Sequence, residues 1–115
     1  MLSKLVLGVL VIIIAVVLYN RFSAVRVSGG DARALVANGA TLIDVRSPEE
    51  FAGGHIEGAL NIPVQQLAGR TDEVGGKDGQ IVVYCQSGGR SAMAKRLLES
   101  SGFTAVHDMG GIGKW

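Results

Sequence analysis

The sequence predicts an α/β fold, a parallel sheet with helices on its faces, preceded by one hydrophobic N-terminal helix. Three observations carry this expectation. Helix signals and short apolar runs alternate after residue 25, the pattern that builds parallel sheets. The run Gln80-Ile-Val-Val-Tyr84 is apolar toward both faces, as a central parallel strand requires. Apolar residues are also unevenly spread: they fill 16 of the first 20 positions, whereas the other 95 hold 39 apolar and 20 charged residues. A leader over residues 1–24 and a domain over residues 25–115 are therefore expected, the latter large enough for a modest core.

The leader runs apolar from Leu5 to Leu18, with Lys4 before it and Tyr19, Asn20 and Arg21 after it. From Leu2 to Tyr19 a helix would rise about 27 Å, close to the roughly 30 Å hydrocarbon core of a bilayer. A single-pass transmembrane helix that meets lipid over residues 5–19 is the expectation. A cleaved, signal-like segment is the alternative, with Ser23-Ala24 as its cleavage site. The amino terminus and Lys4 on one side nearly balance Arg21 and Arg26 on the other. Arg33 tips the positive-inside rule toward a cytoplasmic domain, with an extracytoplasmic one as the alternative.

The domain elements follow in order. Ser28 is a candidate N-cap with Asp31 three residues on, and the helix from Ala32 to Asn38 stops at Gly39. Thr41-Leu-Ile-Asp-Val45 reads as a short buried strand. Ser47 caps a second helix with Pro48 at its first position. Ala59–Ile62 is a short strand closed by Pro63, and Gly75, Gly76 and Gly79 mark a loop. The strand Gln80–Tyr84 leads to an amphipathic helix, Ser91–Ser100, that ends near Gly102. Thr104–His107 is a last strand before Met109-Gly-Gly-Ile-Gly.

All 10 acidic residues and 10 of the 11 basic ones follow Asn20, so the chain beyond it is formally neutral. Neutrality removes the electrostatic argument for nucleic-acid binding. The single cysteine, Cys85, excludes an internal disulfide and a multi-cysteine zinc site. In a parallel sheet the ligand site lies at the carboxyl ends of the strands. Cys85-Gln86-Ser87-Gly88-Gly89-Arg90 occupies that place, between the clearest strand and the helix after it. A loop opening a helix turns backbone N–H groups inward, and the helix dipole adds positive character. Gly88 and Gly89 allow the dihedrals such a cradle needs, and Arg90 adds a cation. Together these features would keep Cys85 a thiolate near neutral pH; the plain alternative is a buried cysteine at a strand end.

The same residues resemble the active-site loop of rhodanese-type sulfurtransferases, Cys85-x-x-x-x-Arg90 after Ile81-Val-Val-Tyr84. The similarity extends to Leu42-Ile-Asp-Val-Arg-Ser-Pro-Glu-Glu-Phe51, to Gly54-His-Ile-Glu-Gly-Ala-Leu-Asn-Ile-Pro63 and to Met109-Gly-Gly-Ile112. It implies a rhodanese-like sheet of five parallel strands. It also implies that a Cys85 thiolate takes sulfane sulfur from thiosulfate or a persulfide, and passes it to cyanide, a small thiol or a protein acceptor. No cofactor and no metal are expected. The resemblance gives Asp44 and Arg46 a part in shaping the pocket, whereas their residue types alone suit a structural ion pair. His55 either orients a donor or satisfies backbone groups in its turn; His107 is read as structural and Tyr84 as core. Two other functions compete. A phosphatase or arsenate reductase also frames an oxyanion with Cys and Arg, although related phosphatases space the two by one more residue. A silent, tethered binding or redox-sensing module is the second.

Overall fold

Five consecutive apolar residues with two β-branched valines at their centre favour an extended, doubly buried strand, and Ile81–Cys85 forms β3 at the middle of the sheet. The computed structural model describes residues 3–23 and 25–115, with side chains described at residues 3–18 and 25–115. β1 (Thr41–Asp44) and β2 (Leu60–Asn61) lie on one side of β3, and β4 (Val106–Gly111) on the other. The order is β2-β1-β3-β4, and every pairing is parallel. The helices are α1 (Lys4–Ser23), α2 (Gly29–Ala37), α3 (Pro48–Ala52), α4 (Val64–Leu67) and α5 (Gly89–Ser100).

Strand pleating divides the core into two layers. Ile43, Ile81, Val83 and Cys85 face α4 and α5 and pack with Leu67, Ala94 and Leu98. Leu42, Val82, Tyr84 and Met109 face the other way and pack with Ala32 of α2 and with Ile56. The helix starts follow local chemistry. The Ser28 hydroxyl accepts from the Asp31 N–H at 3.0 Å. Ser47 and Glu50 close a reciprocal capping box at the head of α3, with Pro48 in its first turn. The strand and helix pattern expected from the residues is present, with bounds that shift by a few residues: α2 and α5 start earlier, at Gly29 and Gly89, and β1 ends at Asp44. β2 shortens to Leu60–Asn61, because Pro63 turns the chain into α4. β4 starts later and runs on to Gly111 through a bulge at Met109, where Gly110 adopts φ +85° and its N–H donates to the Asp108 carboxylate at 2.8 Å.

Two expectations are corrected. The sheet has four strands among the described residues, not five. The stretch that would add a fifth makes a single parallel bridge, Arg26 to Asp108, with the Val27 N–H donating to the Asp108 carbonyl at 2.9 Å. Ser28 then caps α2, so the chain leaves the sheet edge after one contact. The second correction concerns the leader. Among the described residues no helix is long and apolar enough to cross a membrane. The continuous apolar run of α1, Leu5–Leu18, rises only about 21 Å at 1.5 Å per residue, short of a roughly 30 Å hydrocarbon core. Neither the transmembrane helix nor the bilayer contact over residues 5–19 is supported.

Tyr84 joins the core to the site. Its ring is fully buried and its hydroxyl accepts the Ile56 N–H at 3.1 Å, which pins the segment after His55 beneath the sheet edge. Tyr84→Phe strands that buried N–H, so unfolding stability should fall by about 1–3 kcal/mol. A lower urea midpoint at unchanged slope is the expected reading; an unchanged midpoint would show that Ile56 finds another partner.

Candidate functional site

Cys85 ends β3, and α5 begins four residues later. The pleat sends its side chain into the layer under α5, where it is buried. Gly88 makes the turn at φ +112°, a value side-chain-bearing residues rarely adopt, and a Cβ there would collide with the Arg26 guanidinium. This turn folds the loop back over the sulfur, so that the Gly88 N–H donates to Sγ at 2.9 Å. Ser91, in the first turn of α5, sets its Oγ 3.4 Å from Sγ. Its hydroxyl also lies 3.1 Å from the Gly88 carbonyl, to which it donates.

These contacts decide the charge state of the thiol. Burial is the largest single influence and pushes Cys85 up, since a thiolate loses solvation. The Ser91 hydroxyl and the N–H groups of Ser91, Gly88 and Ser87 favour the anion, and together they outweigh burial, so Cys85 titrates below its ordinary value. The sulfur is a buried thiol in a nest of donors, and Arg90 at the loop's end is coupled to it by charge.

The loop is held from both sides. Arg26 donates from Nη2 to the Gly88 carbonyl at 3.1 Å, and its Nε lies 3.6 Å from the Asp108 carboxylate. Arg46 donates from Nη1 to the Gln86 side-chain oxygen at 3.1 Å and from Nη2 to the Gly54 carbonyl at 2.7 Å. The same guanidinium pairs with Asp44 at 2.8 Å, both residues being buried. Asn61 donates to the carbonyls of Asp44 and Arg46, each at 3.0 Å. Gly111 presses on the loop from β4, where a Cβ would approach the Gln86 carbonyl at 2.8 Å.

The structure thus gathers Cys85, Gln86, Ser87, Gly88, Gly89 and Arg90 at the carboxyl edge of the sheet, with Asp44 and Arg46 beside them as a bracing ion pair. Arg90 closes the loop, but its guanidinium donates to both Glu50 oxygens, at 2.5 and 3.0 Å. His55 contacts a backbone group of its own turn. Its ring is exposed and stacks on Phe51 with centroids 3.6 Å apart, and Nδ1 lies 2.9 Å from the Phe51 carbonyl. His107 pairs with the Gln80 side chain at 2.7 Å, away from the loop. Among the described residues no three His, Cys, Asp or Glu side chains group as metal ligands. Sequence reasoning missed Ser91, Glu50 and Arg26 as parts of this site. The position of Ser91, directly after Arg90 in the first turn of α5, was a usable signal for the first; nothing local pairs Glu50 with Arg90 or brings Arg26 to Gly88.

Known proteins are similar to this chain in sequence and fold. The Rhodanese-like domain family matches residues 28–115. The uncharacterized protein YqhL of Bacillus subtilis is 47% identical over 77 residues, 66% of this chain and 60% of that protein. The thiosulfate sulfurtransferase PspE of Escherichia coli is 39% identical over 71 residues, 61% of this chain and 68% of that protein. Among solved structures, the human single-domain sulfurtransferase TSTD1 superposes with a TM-score of 0.68 at 36% identity, covering 78% of this chain and 90% of that one. With its parallel sheet, its cysteine loop between β3 and α5 and this match over the whole span from Ser28 onward, the chain belongs to the rhodanese-like domain family.

Proposed function

We propose that this protein is a sulfurtransferase that carries sulfane sulfur on Cys85, taking it from thiosulfate or a persulfide and delivering it to cyanide or a thiol. The observation that carries this reading is the 2.9 Å hydrogen bond from the Gly88 N–H to Sγ within a loop of converging donors. The Cys85 thiolate attacks the outer sulfur of thiosulfate, the S–S bond breaks, and sulfite leaves with the bonding pair. The persulfide anion now occupies the nest, and its terminal sulfur is attacked by the acceptor, which restores the thiolate. Both steps move negative charge along the sulfur axis, so donors arranged beforehand serve both.

Ser91 has a distinct task in this scheme. With Cys85 protonated, the hydroxyl donates to the Gly88 carbonyl; with the thiolate formed, it is free to turn its proton to sulfur, while Arg26 continues to hold that carbonyl. An oxyanion ester is served less well. A phosphoryl group calls for a guanidinium free to bind two oxygens, and Arg90 is already occupied by Glu50.

Cys85→Ser should lose thiosulfate-dependent thiocyanate formation while keeping the fold, because a serine hydroxyl is a poor nucleophile at neutral pH. Intact-mass measurement after thiosulfate treatment should find one added sulfur on the wild type and none on the variant. Appreciable thiocyanate production by the variant would contradict the covalent scheme.

Ser91→Ala removes a group that lowers the thiol and leaves the burial that raises it. The pH midpoint of Cys85 alkylation should therefore move up, by roughly one unit for a hydrogen bond to an anion worth about 1.5 kcal/mol. Below that midpoint the alkylation and sulfur-loading rates should fall together. An unmoved midpoint would leave Ser91 a packing residue.

A further inference from the structure

Three arginines hold the Cys85 loop or form part of it, and each is matched by a carboxylate. Arg46 pairs with Asp44, Arg26 with Asp108 and Arg90 with Glu50. Around the sulfur the protein thus offers amide dipoles and a helix N-terminus, while each of these three guanidinium charges is offset by a neighbour. The carboxylates differ in access. The side chains of Asp44 and Asp108 are 0% and 4% exposed, whereas those of Glu50 and Arg90 are 33% and 35% exposed. Glu50 is the one that an incoming molecule meets.

Glu50 is also held in place. Its carboxylate accepts from the Ser47 N–H and the Ser47 hydroxyl, each at 3.1 Å, as well as from Arg90. Arg90 first, then the Ser47 N–H, holds its carboxyl at about 2, so it is ionised throughout the neutral range. A dianionic donor that seeks Arg90 must displace this carboxylate and approach its negative charge. A donor with one charge or none bears far less of that repulsion.

Resting on the sulfurtransferase reading above, we infer that Glu50 is a specificity-determining residue that favours hydropersulfide donors of low charge over dianionic thiosulfate. With a hydropersulfide R–S–SH, the Cys85 thiolate bonds to the terminal sulfur, the S–S bond breaks, and R–S⁻ leaves with the electron pair. The proton stays on the transferred sulfur, so no oxidant or reductant is consumed.

The test compares rate constants for loading one sulfur onto Cys85, read by intact mass, with thiosulfate and with the hydropersulfide of 2-mercaptoethanol. Glu50→Gln removes the charge, and Gln still suits the third position of a capping box. The thiosulfate-to-hydropersulfide ratio of rate constants should rise roughly 5- to 10-fold in Glu50→Gln. Glu73→Gln makes the same charge change in a pair with Arg70 that shares no partner with the loop, and should leave the ratio as it was. Circular dichroism checks that both variants fold. The wild type supplies a measurement independent of any variant: thiosulfate loading should hold steady or rise with added salt, as repulsion is screened. A ratio within twofold of wild type in folded Glu50→Gln, or wild-type thiosulfate loading that falls steeply with salt, would overturn the inference. Failure of both donors to add sulfur to Cys85 would overturn the sulfurtransferase reading itself, and this inference with it.

Discussion

The Gly88 N–H reaches the Cys85 sulfur only because the chain reverses between β3 and α5 at a residue with φ +112°. Much of the surrounding structure serves that reversal. Arg26 and Ser91 both donate to the Gly88 carbonyl, which fixes the peptide beyond the turn. Arg26 is in turn placed by its single bridge to β4 and its pairing with Asp108. Beyond the bulge at Met109, Gly110 packs tightly on the Arg26 side chain and Gly111 approaches the Gln86 carbonyl more closely than a Cβ would permit. The glycines of the last strand and of the loop are thus two halves of one packing constraint.

Electrostatically, the site balances burial against hydrogen-bond donors, with Arg90 coupled to the sulfur by charge. A sulfur buried in the α5 layer would resist ionisation, and four hydrogen-bonding groups reverse that preference. The arginines nearby are committed elsewhere: Arg46 to Asp44, Gln86 and the Gly54 carbonyl, Arg26 to Gly88 and Asp108, Arg90 to Glu50. Their first effect is mechanical, since each ties the loop or its neighbours to a different segment. Removing one partner from the buried Asp44–Arg46 pair would leave an uncompensated charge inside the protein, which is why such a pair is more costly to break than to lack.

What was legible in the sequence was local. Ser28, Ser47 with Pro48, Gly39 and the apolar run Ile81–Tyr84 each act within a few residues, and each element they mark is present. The loop from Cys85 to Arg90 was legible for the same reason, being one continuous strand-to-helix switch. What failed depended on distance or on extent. A fifth strand was expected by resemblance, but α1 and the Ser28 cap leave room for only one bridge at Arg26. Arg90 was read as a cation at the helix start, but its pairing with Glu50 was not legible because Glu50 lies 40 positions earlier in the chain, on α3. For His55 the sequence left two readings open, and its Nδ1 contact with the Phe51 carbonyl matches the one in which it satisfies backbone groups in its turn.

The central claim is that the hydrogen-bond donors of the folded loop lower the titration of Cys85 below its ordinary value. Titration of the thiolate absorbance in the native protein and in the same chain unfolded in urea tests it most directly. The account predicts a native midpoint below the unfolded one, with the difference largely retained at high salt because hydrogen bonds inside a buried loop are little screened. A native midpoint at or above the unfolded value, or a difference abolished by salt, would contradict it.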